Sequence, residues 1–129
     1  MTKSYPYSRQ KILNTDIKAV TKVLKSDFLT QGPEVIKFEK NFSKFVNVKY
    51  SIAVNSATSA LYLACMALNF KKNDILWTVA NTFVSSSNCA LHLGGKIDFV
   101  DINFENGNID TDRLEQKLII AKKKEYYLK

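Results

Sequence analysis

Ser56, Ala57 and Thr58, with Phe83 further along, are the residues whose types and spacing could do chemistry in this chain. The run Val54-Asn55-Ser56-Ala57-Thr58-Ser59-Ala60-Leu61 places small hydroxyl residues at a junction between two patterns. Before it, Tyr50-Ser51-Ile52-Ala53-Val54 is short, β-branched and apolar, which predicts a buried strand. After it, Leu61, Leu63, Ala64, Ala67 and Leu68 recur at helical spacing. A strand that turns directly into a helix presents unpaired backbone N–H groups and the positive end of the helix dipole. That combination suits an anion, a phosphate above all. The small side chains of Ser56, Ala57 and Ser59 let an anion reach the backbone, and the hydroxyls of Ser56 and Thr58 add donors. The same residues read equally well as an ordinary cap, with Ser56 or Thr58 at the N-cap position.

Phe83 stands just beyond a second predicted strand, about Ile75 to Val79, in the turn Ala80-Asn81-Thr82-Phe83. A large aromatic there faces either the sheet core or a ligand crevice. An aromatic face stacks well on a heteroaromatic ring. Phosphate grip plus ring stacking is what pyridoxal phosphate requires.

Other elements must hold these residues in place. Tyr5-Pro6-Tyr7-Ser8 reads as an extended lead-in, because Pro6 disfavours helix at Tyr5. A helix is expected from about Asp16 to Lys25, capped by Asn14 or Thr15, with Ile17, Val20, Val23 and Leu24 on one face. Ser26 to Pro33 breaks it, and Pro33 suits the first turn of a second helix, where its missing N–H had no partner anyway. That helix carries Val35, Phe38, Phe42, Phe45 and Val46 on one stripe, read as core packing. The turn after Val79 leads into a small-residue helix through Leu93, ended by Gly94-Gly95. Lys96 to Asp101 is a third strand, Asn106-Gly107-Asn108 a turn, and Asp110 or Thr111 caps a last helix from about Asp112 to Lys122. The order β-α-β-α-β-α implies an α/β fold with a parallel sheet and right-handed crossovers. In such sheets ligands sit beyond the carboxyl ends of the strands, where the Asn55–Thr58 and Asn81–Phe83 turns fall.

The 129 residues make one domain or part of one. There is no run of eighteen apolar residues and no basic-then-apolar leader, so the expectation is a cytoplasmic protein with no membrane span. Cys65 and Cys89 lie in apolar helical patterns without metal-ligand spacing and read as buried thiols in a reducing compartment, with no metal site. The net charge of +7 invites a nucleic-acid reading, but residues 117–129 supply +4 of it. Only Arg9 and Arg113 occur as arginines, without a basic stripe or a nucleic-acid motif.

Several separated segments carry a resemblance: Gly32-Pro33 with Phe38-Glu39, Val48-Lys49-Tyr50, Asn55 to Leu61, Asn81-Thr82-Phe83-Val84, and Phe99-Val100-Asp101-Ile102 through Asn108-Ile109-Asp110. Together they resemble the DegT/DnrJ/EryC1/StrS sugar-nucleotide aminotransferases, up to about Leu118. The Ser-Ala-Thr version of the phosphate turn, with Pro6-Tyr7-Ser8 and Leu29-Thr30-Gln31-Gly32, is similar to the pseudaminic-acid branch of that family. The resemblance implies the N-terminal part of the large domain of a fold-type I pyridoxal-phosphate transferase, an α-β-α sandwich with a mostly parallel sheet. It implies residues 1–33 as an arm with the first helix and 34–129 as an incomplete cofactor-binding domain. The reaction implied is transfer of an amino group from glutamate to the C4 keto group of a UDP-4-keto-6-deoxy-N-acetyl-hexosamine, by a homodimer in the intact family. By position, Ser56, Ala57 and Thr58 would line the cofactor phosphate, Ala57 would also touch substrate, and Phe83 would stack on the pyridine ring. Tyr7 and the segment Asp27, Phe28, Leu29 and Thr30 match positions that contact the nucleotide sugar. For Tyr7 and Phe28, surface or core packing accounts for the residue equally well.

Two departures accompany the resemblance. Ala80 stands where the branch commonly has Pro, a loss of rigidity that need not alter the chemistry. The family's Schiff-base lysine, and the Asp that pairs with the pyridine nitrogen, match no position here, and no lysine stands in the Ser-x4-Lys context. The expectation is a truncated aminotransferase with no catalytic residue of its own, inactive alone. Two other readings stand beside it, a non-catalytic phosphate- or nucleotide-binding remnant and a basic nucleic-acid-associated protein acting through the lysine tail.

Overall fold

A computed structural model describes residues 5–6 and 8–123. The chain divides into two compact units, Met1–Ala53 and Val54–Lys129, each taken by itself below.

In the first unit, α1 (Asn14–Leu24) follows an extended Leu13. Neither Asn14 nor Thr15 caps it. The Asp16 carboxylate reaches back to accept the Leu13 N–H at 2.8 Å, satisfying one end donor while placing negative charge at the positive end of the helix. α2 (Pro33–Phe45) opens with Pro33 in its first turn, as its fixed φ favours. The stripe Val35, Phe38, Phe42, Phe45 and Val46 is not a core: all five are exposed, Phe45 to 86%. Phe38 and Phe42 stack on each other one turn apart, with ring centroids at 5.8 Å. Amphipathic patterning sets which face of a helix is apolar, but a second apolar surface is needed to bury it.

The expected strand Tyr50–Val54 is extended but belongs to no sheet among the described residues. Its polar groups turn to α2 instead. Ser51 Oγ donates to the Glu39 carbonyl, and the Ala53 N–H donates to Glu39 Oε1 at 2.8 Å. β-branched residues make a segment extended, and only a partner edge makes it a strand.

The second unit contains α3 (Ala57–Ala67), β1 (Ile75–Thr78), α4 (Ser85–Leu91), β2 (Lys96–Phe99) and α5 (Thr111–Lys123). β1 and β2 pair in parallel, with Ile75 opposite Lys96 and Thr78 opposite Phe99. Backbone bonds from Lys96 N–H to the Asp74 carbonyl and from Val100 N–H to the Thr78 carbonyl, each 2.8 Å, extend the ladder at both ends. α4 is the crossover, and its Ser85, Ser87, Cys89 and Ala90 are buried. It stops at Leu91, short of Leu93. A turn then carries the chain to Gly94, whose φ of +74° lies in the region that favours glycine. Gly95 has a different reason: a Cβ there would sit 2.2 Å from Cε1 of Phe70. Among the described residues, the buried apolar ones are Cys65, Cys89, Ala90, Val100 and Ala121.

Asp110 caps α5, accepting the N–H groups of Asp112 and Arg113 at 3.0 Å each. From α5, Lys117 reaches over the end of β2. Its ammonium lies 2.6 Å from Asp98 Oδ2, donates to the Phe99 carbonyl at 2.7 Å, and sits 5.3 Å from the centre of the Trp77 ring. The hydrogen bond from Lys117 is the main reason that the Asp98 carboxyl is held below its ordinary value.

The Lys117 contact carries a pH signature. A carboxylate with a lowered folded value contributes stability above its unfolded pKa, about 3.9, and loses it as pH falls through the folded value. The Asp98 side chain is 41% exposed, so water screens the pair and Lys117→Met is expected to cost about 1 kcal/mol or less at pH 7. Urea unfolding at pH 7 and pH 3 checks this: the gap between wild type and variant should narrow at the lower pH. An equal gap at both would remove the ion pair as its source.

Candidate functional site

Ser56 begins α3 from an extended conformation, and its Oγ accepts the Ser59 N–H at 3.1 Å. The cap expected at Ser56 or Thr58 is therefore Ser56. The Ser59 hydroxyl donates to Asn55 Oδ1 at 2.7 Å, which leaves the Ser56 hydroxyl as donor across the 3.0 Å contact between Ser56 Oγ and Ser59 Oγ. A relay thus runs Ser56 to Ser59 to Asn55 and fixes the turn. The Ser56 hydroxyl proton is committed to this relay, so what Ser56 offers an incoming anion is the backbone shape it enforces.

The first N–H groups of a helix have no carbonyl one turn back. The cap takes that of Ser59, and the Ala60 N–H donates to the Ser56 carbonyl at 3.1 Å. Among the described residues, no hydrogen bond engages the N–H groups of Ala57 and Thr58 or the Thr58 hydroxyl. All three residues from Ser56 to Thr58 are exposed. Ala57 adds only a methyl group, so its N–H is approachable. Two backbone donors and one hydroxyl at the positive end of an eleven-residue helix can hold a phosphate dianion.

Phe83 follows β1 at the carboxyl edge of the sheet and is 73% exposed, which excludes the core alternative. The Thr82 N–H donates to the Ala80 carbonyl at 3.0 Å, and the Ser86 N–H to the Phe83 carbonyl at 2.9 Å. A cavity of about 380 Å³ opens beside this turn, lined by Ala80, Asn81 and Phe99 to Ile102. Phe83 and the start of α3 belong to the same compact unit, with no direct ring contact or hydrogen bond between them among the described residues.

Asp27, Phe28, Leu29 and Thr30 lie in the first unit, all exposed, in the turn between α1 and α2. Leu29 lines an apolar cavity of about 600 Å³ with Val20, Val23 and Leu24, rimmed by Lys22, Glu34 and Lys37. Phe28 folds back so that its Cβ lies 3.0 Å from where a Cβ on Gly32 would be. Tyr7 lies outside the described residues.

Ser59 was expected only as a small residue beside the anion and Asn55 only as the start of the turn; their hydrogen-bonded relay was not foreseen. Their spacings are the legible signal, since residues three and four apart meet on one helical turn. Both cysteines are buried thiols. Burial, and then Cys89 beside it, push the Cys65 thiol above its ordinary value, which keeps it protonated and a poor nucleophile. Among the described residues, no three His, Cys, Asp or Glu side chains gather as a metal site would need. No described helix is long and apolar enough to cross a membrane.

The chain is similar in sequence and fold to sugar aminotransferases and to a GDP-sugar dehydratase. The chain is 44% identical over 113 residues to a UDP-4-amino-4,6-dideoxy-N-acetyl-beta-L-altrosamine transaminase of Campylobacter jejuni, covering 88% of this chain and 30% of that protein. It superposes with a TM-score of 0.80, at 30% identity, on a sugar aminotransferase of Streptococcus pneumoniae in its PLP form, covering 87% of this chain and 29% of that one. The E. coli GDP-4-keto-6-deoxy-D-mannose-3-dehydratase with bound hydrated PLP gives the same TM-score at 29% identity, over 88% of this chain and 31% of the other. The chain therefore spans about 30% of the length of the relatives it matches. The fold is that of the N-terminal part of such enzymes, an α/β arrangement with a small parallel sheet. The match to the family model over residues 10–124 takes in nearly the whole chain, which belongs to the DegT/DnrJ/EryC1/StrS aminotransferase family.

Proposed function

We propose that this chain supplies the cofactor-phosphate and ring contacts of a PLP-dependent sugar-nucleotide aminotransferase. The observation that carries the proposal is the pair of unengaged N–H groups at Ala57 and Thr58, presented by a helix start that Ser56, Ser59 and Asn55 hold rigid. In this reading Ala57, Thr58 and the backbone around Ser56 hold the phosphate, while Phe83 offers its face to the pyridine ring. Residues 34–129 form the cofactor-binding part, and residues 1–33 an arm whose Tyr7 and Asp27 to Thr30 meet the sugar nucleotide. Ala57, the smallest of the three phosphate-side residues, also leaves room for substrate. The proposed reaction moves an amino group from glutamate to the C4 keto carbon of a UDP-4-keto-6-deoxy-N-acetyl-hexosamine, in a cytoplasmic homodimer. When bound, PLP supplies the electron sink for that transfer.

The contribution of these residues is binding and orientation. Charge-assisted hydrogen bonds to the phosphate are worth about 1.5–3 kcal/mol each before ordering costs. Stacking on Phe83 fixes the plane of the ring without adding charge to it.

The test is amide-shift titration by NMR of the chain with PLP and, separately, with inorganic phosphate. Thr58→Val nearly conserves shape and should weaken both ligands roughly tenfold by removing one hydroxyl donor. Ala57→Asp should abolish binding of both by setting a carboxylate beside the anion. An acid in the first turn suits the helix dipole, so loss of binding in that variant is not loss of α3. Unchanged PLP affinity in folded Ala57→Asp would refute the site.

A second expectation concerns turnover. Incubated with the UDP-4-keto sugar, glutamate and PLP, the chain by itself should give no amino sugar above a no-protein control, because no lysine here stands in the family's cofactor-linking context. Product formation well above that control would reassign the chemistry to one of the chain's own lysines.

A further inference from the structure

Phe83 raises a problem of order. It is 73% exposed, so packing does not fix its side chain, yet a stacking partner contributes only when its face is already presented. The backbone around it is held more tightly than its exposure suggests. On the C-terminal side, Thr82 Oγ1 and Ser86 Oγ lie 3.0 Å apart, which bridges Phe83 and ties the turn to the first residues of α4. The Ser86 N–H takes the Phe83 carbonyl at 2.9 Å inside the same loop, so the hydroxyl contact and the backbone bond close it together. On the N-terminal side, Asn81 rests beside Gly107, where a Cβ would meet Asn81 Nδ2 at 3.7 Å. Gly107 is itself set by the Asn103–Asn108 turn, through bonds of 2.9 Å from Gly107 N–H to the Asn103 carbonyl and 2.8 Å from Asn103 N–H to the Asn108 carbonyl.

We propose that the Thr82–Ser86 hydroxyl pair is a positioning clip for Phe83, holding the turn in the conformation that presents the ring to the pyridine of the cofactor. The inference rests on the site described under the proposed function and assigns it two further residues. Neither hydroxyl touches the cofactor. Their effect is on population: with the clip broken, residues 80–84 sample other conformations, and affinity falls by the fraction of time the competent one is lost. Ser86 can be tested cleanly. It is only half-buried, alanine is a good helix former, and the buried residues of α4 are its neighbours Ser85, Ser87, Cys89 and Ala90.

The experiment is the same pair of NMR titrations, with PLP and with inorganic phosphate, on Ser86→Ala, Ser86→Thr, Thr82→Val, Phe83→Ala and the Phe83→Ala/Ser86→Ala double variant. Ser86→Ala and Thr82→Val should each weaken PLP about three- to tenfold, a range set by one neutral hydrogen bond, and leave phosphate affinity unchanged. Ser86→Thr should retain wild-type PLP affinity, since it keeps the hydroxyl. The double variant should bind PLP no more weakly than Phe83→Ala alone, because a clip has nothing to present once the ring is gone. Additive losses in the double variant overturn the proposal, as does a matching loss of phosphate affinity in Ser86→Ala. If Phe83→Ala weakens PLP while Ser86→Ala and Thr82→Val do not, the clip fails and the site stands. If Phe83→Ala leaves PLP affinity at the wild-type level, the ring contact fails and the clip falls with it.

Discussion

Parallel pairing of β1 and β2 is the constraint on which the described residues of the second unit, 54–123, depend. Two parallel strands cannot be joined by a tight turn, so the chain must cross back over the sheet before the second strand can pair. Residues 79–95 make that return through α4, and its length and burial follow from the task. The two ends of the ladder are finished differently. At the entry to β2, Gly95 has no side chain because the Phe70 ring occupies that space. At the exit, Lys117 anchors α5 to Asp98 and to the Phe99 carbonyl. A ladder of four residues is short enough that both anchors matter.

The same crossover creates the ligand edge. Because β1 must turn outward to reach α4, residues 80–83 project beyond the sheet and Phe83 is left in solvent. The start of α3 solves a different problem. A helix must leave its first N–H groups without internal partners, and the chain can cover them, hydrate them or offer them to a ligand. Here Ser56 covers that of Ser59, and the two before it, those of Ala57 and Thr58, stay accessible. The relay through Ser59 to Asn55 stiffens the turn without using those donors.

Local chemistry was legible in the sequence, and partnership was not. A cap at Ser56 or Thr58, Pro33 in a first turn, the Gly94 turn and a cap at Asp110 or Thr111 all follow from short-range hydrogen bonding or fixed φ; the first of each pair of caps is the one found, as are Pro33 and Gly94. The parallel α/β arrangement follows from the alternation of patterns and is found in β1 and β2. Tyr50–Val54 and the α2 stripe were misread for one reason. Both patterns state which surface is apolar, and neither states whether a partner surface is present to meet it. The Asp16 cap was missed because acceptance by a residue inside the helix leaves no cap residue in front of it. In the candidate site, the residue types at 56–59 and 83 were readable, whereas the relay from Ser56 through Ser59 to Asn55 became visible only once the hydroxyls had directions.

The exposed stripe on α2 has a thermodynamic consequence. The heat-capacity increase on unfolding scales with the apolar surface newly hydrated, and denaturant sensitivity scales with the total surface exposed. Phe38, Phe42 and Phe45 already face water, so unfolding hydrates little new surface on this face and the α2 stripe contributes little to either quantity.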